Sequence, residues 1–163
     1  MDATDRNIVG LLQRHGRMNH EQIAQAVNLS RPAVHERVRR LEAAGVIKGY
    51  GAVVDWAALG KPMTVFISVR TGGRCSDTGY AIMSLSDDAA SVDECHRVTG
   101  DWCMLVKARV ATSLALQNLI DRIRAVPGVQ GTMTTIALSA LHEERSGAGR
   151  MDPRGEATVA AGD

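Results

Sequence analysis

The chain has 163 residues, a net charge of +1, 45% apolar residues and only 3% aromatics. That length gives room for one large domain or two small ones, with aliphatic side chains filling the core. No apolar run approaches the ~20 residues of a membrane span, and the charged start Met1-Asp2-Ala3-Thr4-Asp5-Arg6 lacks the apolar stretch of a secretory leader, so a cytoplasmic protein with no membrane partner is expected.

Thr4 to His15 reads as a helix, with Ile8, Leu11, Leu12 and His15 at helical spacing and Gly16 as its stop. Asn19 caps a second helix with Ile23, Ala24 and Val27 inward. After the short turn Asn28-Leu29, Ser30 caps a third helix, and Pro32 sits in its first turn, where a missing N–H costs little. Val34, Val38 and Leu41 recur at i, i+4 and i+7 as its buried face, and Gly45 ends it. Val46 to Val54, branched and interrupted by Gly49 and Gly51, predicts two short strands around a tight turn, a small wing. Residues 55–61 read as a helical turn or linker.

Beyond the linker the pattern changes. Pro62–Thr71 predicts a strand; Asp77 to about Ser86 a helix with Tyr80, Met83 and Leu85 inward; Glu94–Val98 and Trp102–Val110 strands joined at Thr99-Gly100-Asp101. Thr112 caps a helix carrying Leu116, Leu119, Ile120 and Ile123, which ends at Pro127-Gly128, and Val129–Leu141 is a last strand. The order β-α-β-β-α-β is that of a ferredoxin-like unit. The expected chain is therefore α+β: a winged helix-turn-helix over residues 1–54, a linker over 55–61, a ferredoxin-like domain over 62–145, and a Gly-, Ala- and charge-rich disordered tail over 146–163.

The charge distribution points to the third helix. Between Arg31 and Arg40 stand four arginines and one acid, Glu36. A helix-turn-helix needs a reading helix locked on one side and open on the other. With Val34, Val38 and Leu41 inward, Arg31, Pro32, His35 and Arg39 point outward, and Ala33, Glu36, Arg37 and Arg40 lie on the flanks. Ser30, Arg31, Ala33 and His35, at the helix start, are the candidates for contact at or near base edges of double-stranded DNA; His35 is alternatively a neutral polar neighbour. Arg37, Arg39 and Arg40 are candidate phosphate anchors, since a guanidinium fork clamps phosphate well. One or more of them instead pairs with Glu42, Glu36 or a first-helix acid such as Asp5.

The segments Asp5-Arg6-Asn7-Ile8, Gly16-Arg17, Ile23-Ala24, Leu29-Ser30, Arg37 to Glu42 and Gly45 to Tyr50 resemble the Lrp/AsnC (feast/famine) family of transcriptional regulators. Glu94 to Asp101, Leu105 to Val110 and Leu119 to Gly128 resemble the same family's ligand-sensing domain. The resemblance implies a homodimer through the ferredoxin-like domains, assembly of dimers into an octamer, and a small effector, mostly an amino acid, bound between those domains. It also implies an effector loop at Val98, Thr99, Gly100, Asp101 and Trp102, with Asp101 holding an α-ammonium group or ordering the loop. Thr132, Thr134 and Ile136, on one face of the last strand, would add hydroxyls and apolar contact; the plain alternative is a structural hairpin with ordinary sheet threonines. Trp102-Cys103-Met104 departs from the aromatic-rich residues common after Gly-Asp in the family.

Three other functions compete with this reading. A tetrapyrrole decarboxylase of similar architecture would need histidines and cations near its substrate, and only His96-Arg97 and the isolated His142 offer themselves, so no enzyme and no cofactor are expected. Cys75, Cys95 and Cys103 lack metal spacing and read as reduced thiols; Cys95 and Cys103, flanking one hairpin, are a conceivable redox pair. An effector-independent architectural protein would bind scrambled and specific DNA alike.

Overall fold

The computed structural model describes residues 1–140, which divide into two compact units, Met1–Val53 and Val54–Ala140. The sequence expectations for 141–163, including the tail and His142, lie outside the described residues.

The first unit is three helices, α1 (Ala3–Arg14), α2 (His20–Val27) and α3 (Arg31–Ala43). Each starts on the polar cap its sequence offers. Asp2 and Asp5 exchange bonds with each other's backbone N–H, Asn19 and Gln22 do the same, and the Ser30 hydroxyl accepts from Ala33 N–H. Asn28, at a left-handed φ of 55°, turns the chain from α2 into α3. Ile8, Ile23, Ala24, Val34, Val38 and Leu41 close the core, with Leu11 and Leu12 half-buried against it. His15 is exposed and serves as the C-cap of α1.

The expected two-stranded wing is corrected: among the described residues, none between 44 and 62 forms a strand. The N–H groups of Val46 and Ile47 both bond back to the Leu41 carbonyl, and the Tyr50 hydroxyl donates to Glu42 at 2.9 Å. Two short arms around Gly49-Tyr50-Gly51 carry too few cross-strand pairs to hold a hairpin by themselves. The segment instead runs irregularly and leaves Val46, Tyr50, Val53 and Val54 exposed.

The second unit is β1 (Met63–Thr71), α4 (Cys75–Met83), β2 (Ala90–Arg97), β3 (Met104–Val110), α5 (Ser113–Ala125) and β4 (Val129–Ile136). Its four strands form one antiparallel sheet in the order β2-β3-β1-β4, the ferredoxin-like arrangement. Val65, Ile67 and Val69 of β1 and Met104, Val106, Ala108 and Val110 of β3 alternate onto one face, where Ile82 of α4 and Leu116, Leu119 and Ile123 of α5 pack. Thr64, Phe66, Ser68, Leu105, Lys107 and Met133 belong to the opposite face, by the same alternation and register.

Three details differ from expectation. Tyr80 and Met83 are exposed, and α4 buries Thr78 and Ile82 instead. Strand β2 begins at Ala90, earlier than Glu94, because Asp87 accepts from the N–H groups of Ala89 and Ala90 and launches the strand there. Strand β4 ends at Ile136, and Leu138 is fully exposed.

Candidate functional site

The first turn of α3 is the open part of the head. Ser30, Arg31, Pro32, His35, Glu36, Arg39 and Arg40 are exposed, and Ala33 and Arg37 are half-buried. The buried trio Val34, Val38 and Leu41 fixes the rotation of the helix and so aims these side chains. The rings of His35 and His20 lie 5.2 Å apart, so His35 has a polar neighbour across the turn.

The arginines divide into three environments. Arg31 has no carboxylate partner among the described residues. Arg39 pairs with Glu36, Nη2 to Oε1 at 2.8 Å, both side chains about two-thirds exposed (67% and 62%). That pair holds the Glu36 carboxyl below its ordinary pKa, mainly through the hydrogen bond from Arg39. Arg37 and Arg40 turn toward α1, the carboxylate alternative the sequence left open. Arg37 Nη1 reaches Asp2 Oδ2 at 2.6 Å and Asp5 Oδ1 at 2.7 Å, and Arg40 Nη2 meets both Asp5 oxygens at 3.1 and 3.0 Å. The Asp5 side chain is only 2% exposed. The Asp2 N–H, then the Arg37 guanidinium, hold the Asp5 carboxyl below the usual aspartate pKa. The role of Asp2 was missed from sequence, although the Asp-x-x-Asp spacing of a capping box marks it.

In the second unit, Val98 to Trp102 form the turn between β2 and β3, and Gly100 takes a φ of +110°, which favours glycine there. Val98 N–H bonds Cys103 O, and Cys103 N–H reaches Val69 O, which ties the turn to the end of β1. Trp102 is half-buried with the Arg70 guanidinium 5.6 Å above its ring. A side chain added at Gly131 would come within 3.9 Å of that indole. Asp101 and Thr99 are exposed.

Thr132, Thr134 and Ile136 share one face, as alternation requires, paired with Val69, Ile67 and Val65 on the helix-covered side. The Thr132 hydroxyl accepts from Arg124 Nε at 2.9 Å. Strand β4 is the sheet edge, so Ile136 stays 47% exposed. Trp102 and Arg70 lie over Gly131 on the helix-free face, whereas Thr132, Thr134 and Ile136 belong to the opposite, helix-covered face, so the structure does not bring the turn's indole and these three residues together. Arg70 and Arg124, the cations nearest these residues, were not singled out from sequence.

The other chemistry-bearing residues have structural partners. His96 Nε2 lies 2.8 Å from Glu94. Cys95 is not the neighbour of Cys103: it pairs in register with Val106 and lies against Gly79 of α4. The thiol of Cys103 accepts from Thr71 N–H at 3.2 Å, and its proximity to Cys75 pushes the Cys75 thiol pKa up. All three cysteines are free, and no group of three metal-ligating side chains occurs among the described residues. No helix among them is long and apolar enough to cross a membrane.

Comparison with known proteins places both units in a single lineage. A family model described as winged helix-turn-helix DNA-binding matches residues 1–48, and one described as Lrp/AsnC ligand binding domain matches residues 64–146. The HTH-type transcriptional regulator FL11 of Pyrococcus horikoshii is 35% identical over 145 residues, 88% of this chain and 93% of that protein. The leucine-responsive regulatory protein of Escherichia coli K12 is 31% identical over 144 residues, 88% of each. Among solved structures, a feast or famine regulatory protein (Rv3291c) from M. tuberculosis, complexed with L-methionine, is 32% identical at a TM-score of 0.80, covering 88% of this chain and 96% of that one. These relatives are transcriptional regulators rather than enzymes. With both domain families matched in order along one chain, the protein belongs to the Lrp/AsnC family of DNA-binding transcriptional regulators.

Proposed function

We propose that this regulator reads double-stranded DNA with the first turns of α3 and is controlled by an amino acid bound at the Val98–Trp102 turn of the second unit. The observation that carries the first part is the locked, capped α3, whose N-terminal residues Ser30, Ala33 and His35 flank Arg31, an arginine with no carboxylate partner among the described residues. Arg31 suits the acceptors of guanine, and Arg39 exchanges its exposed Glu36 partner for phosphate at little cost.

The second part is supported by the methionine complex of the M. tuberculosis relative and by the chemistry of the turn. Gly100 leaves room for close backbone approach, Asp101 offers an acceptor for an α-ammonium group, and Thr99 offers a hydroxyl in the same turn. The helix-free sheet face, with Phe66, Leu105 and Met133, is the surface we assign to homodimer formation, and dimers assemble further into an octameric ring acting in the cytoplasm. An amino acid shifts that assembly only if it binds one arrangement more tightly than another.

The test is thermal unfolding of the full chain with each of the twenty amino acids, since a ligand that binds only the folded state raises Tm. L-methionine or a close relative is expected to raise it, and Asp101→Ala to abolish the rise while leaving DNA affinity without amino acid unchanged. No shift with any amino acid refutes effector control; a shift that survives Asp101→Ala removes that residue from the site.

A further inference from the structure

Helix α3 carries four arginines against two acids, Glu36 and Glu42. Backbone contacts from several arginines raise affinity for any DNA, and only the contacts at base edges raise it for one sequence. Discrimination is therefore improved by withholding surplus cations from phosphate as well as by adding contacts. Two of the four arginines on α3, Arg37 and Arg40, are paired with the acids that start α1.

We infer that Asp5 is a positioning residue for DNA specificity: held in α1, it keeps Arg37 and Arg40 away from DNA phosphates and leaves the N-terminal turn of α3 to decide the sequence. This rests on the reading that α3 is the DNA-contacting helix.

Burial is what separates the two kinds of pair. Glu36 and Arg39 both lie in solvent, so phosphate displaces Glu36 and the released carboxylate is simply hydrated. Asp5 has no such exit. Its side chain is 2% exposed, and drawing Arg37 and Arg40 away would leave a buried carboxylate without its guanidinium partners. Asp2 doubles the hold on Arg37 at 2.6 Å, and Arg40, although 60% exposed, is held from its inner side by the buried Asp5, so the difference from the Glu36–Arg39 pair lies in the burial of the acid. The same carboxylates cap α1, with Asp2 N–H donating to Asp5 at 3.0 Å and Asp5 N–H donating to Asp2 at 2.7 Å. One group of atoms thus caps α1 and ties it to α3.

The experiment compares wild type with Asp5→Asn, Asp2→Asn and the double variant Asp5→Asn/Arg40→Gln. Each full-length protein is titrated against a duplex selected by the wild type from a random pool and against a scrambled duplex, over a range of salt concentrations. Asp5→Asn should tighten the scrambled duplex and steepen the salt dependence by up to about 1.8 log units per log unit of salt per head, the value for two new phosphate contacts. The ratio of selected to scrambled affinity should fall severalfold. Asp5→Asn/Arg40→Gln should return about half of the added slope. Asp2→Asn keeps a good cap, since Asn and Asp cap about equally well, and releases only part of the hold on Arg37; it should move the slope in the same direction by less, whether or not Asp5→Asn folds. Unchanged or shallower slopes in both Asn variants would overturn the inference and make Asp5 a purely structural acid. Arg31→Ala that leaves both duplexes unaffected would instead refute α3 as the reader, a different result.

Discussion

At the scale of single residues, the head is organised by carboxylates more than by its arginines. The sequence displayed a stripe of four arginines, and spacing alone assigned each a direction. It did not assign partners, because Asp2 and Asp5 lie more than thirty positions away and the choice among Asp5, Glu36 and Glu42 is made by tertiary packing. The pH dependence of the head follows from the same atoms. Asp2 and Asp5 both have depressed pKa values, Asp2 through the Asp5 N–H and then Arg37, Asp5 through the Asp2 N–H and then Arg37. A depressed folded-state pKa contributes stability that is complete above the unfolded value, near ~3.9, and is lost as pH falls through the folded value. Wild type should therefore melt above Asp5→Asn at neutral pH, with the gap closing below about pH 4. Circular dichroism melts across the acid range check this, and a gap independent of pH would contradict it.

At the scale of elements, what was legible depended on how unambiguous the apolar phase was. α3 presents Val34, Val38 and Leu41 amid charged residues, so only one rotation buries a continuous stripe, and that rotation is observed. α4 ends in Tyr80-Ala81-Ile82-Met83, four consecutive residues that satisfy several rotations equally, and its phase is settled by the sheet beneath it. Ile82 faces the sheet and Tyr80 faces water at 78% exposure. Ile82→Ala should cost about 2–5 kcal/mol of stability, as large-to-small changes in packed cores do, whereas Tyr80→Ala should stay within about 0.5 kcal/mol. Denaturant unfolding of the two variants distinguishes them, and similar losses would mean that α4 packs in the other phase. The wing failed as an expectation for a related reason: strand propensity was present, but among the described residues the segment has no strand to pair with.

At the scale of the whole molecule, the sheet order and its covered face followed from alternation, but its uncovered face has no sequence signature of its own, because Thr64, Ser68 and Lys107 read as solvent positions. Half-buried Phe66 lies opposite Lys107 on β3 and Thr135 on β4. If that face joins two copies, Phe66→Asp should shift the protein to monomers by placing a charge in a dry contact, and light scattering after size exclusion reads the mass directly. Wild-type mass retained by the variant would move the interface elsewhere. The distribution of indole rings has a separate consequence. Both tryptophans of the chain, Trp56 and Trp102, belong to the second unit, each beneath a guanidinium, Arg109 over Trp56 and Arg70 over Trp102. The DNA-reading head contains none. Intrinsic tryptophan emission therefore reports on the second unit, including the Val98–Trp102 turn proposed for the effector, and is dark to the melting of α1, α2 and α3.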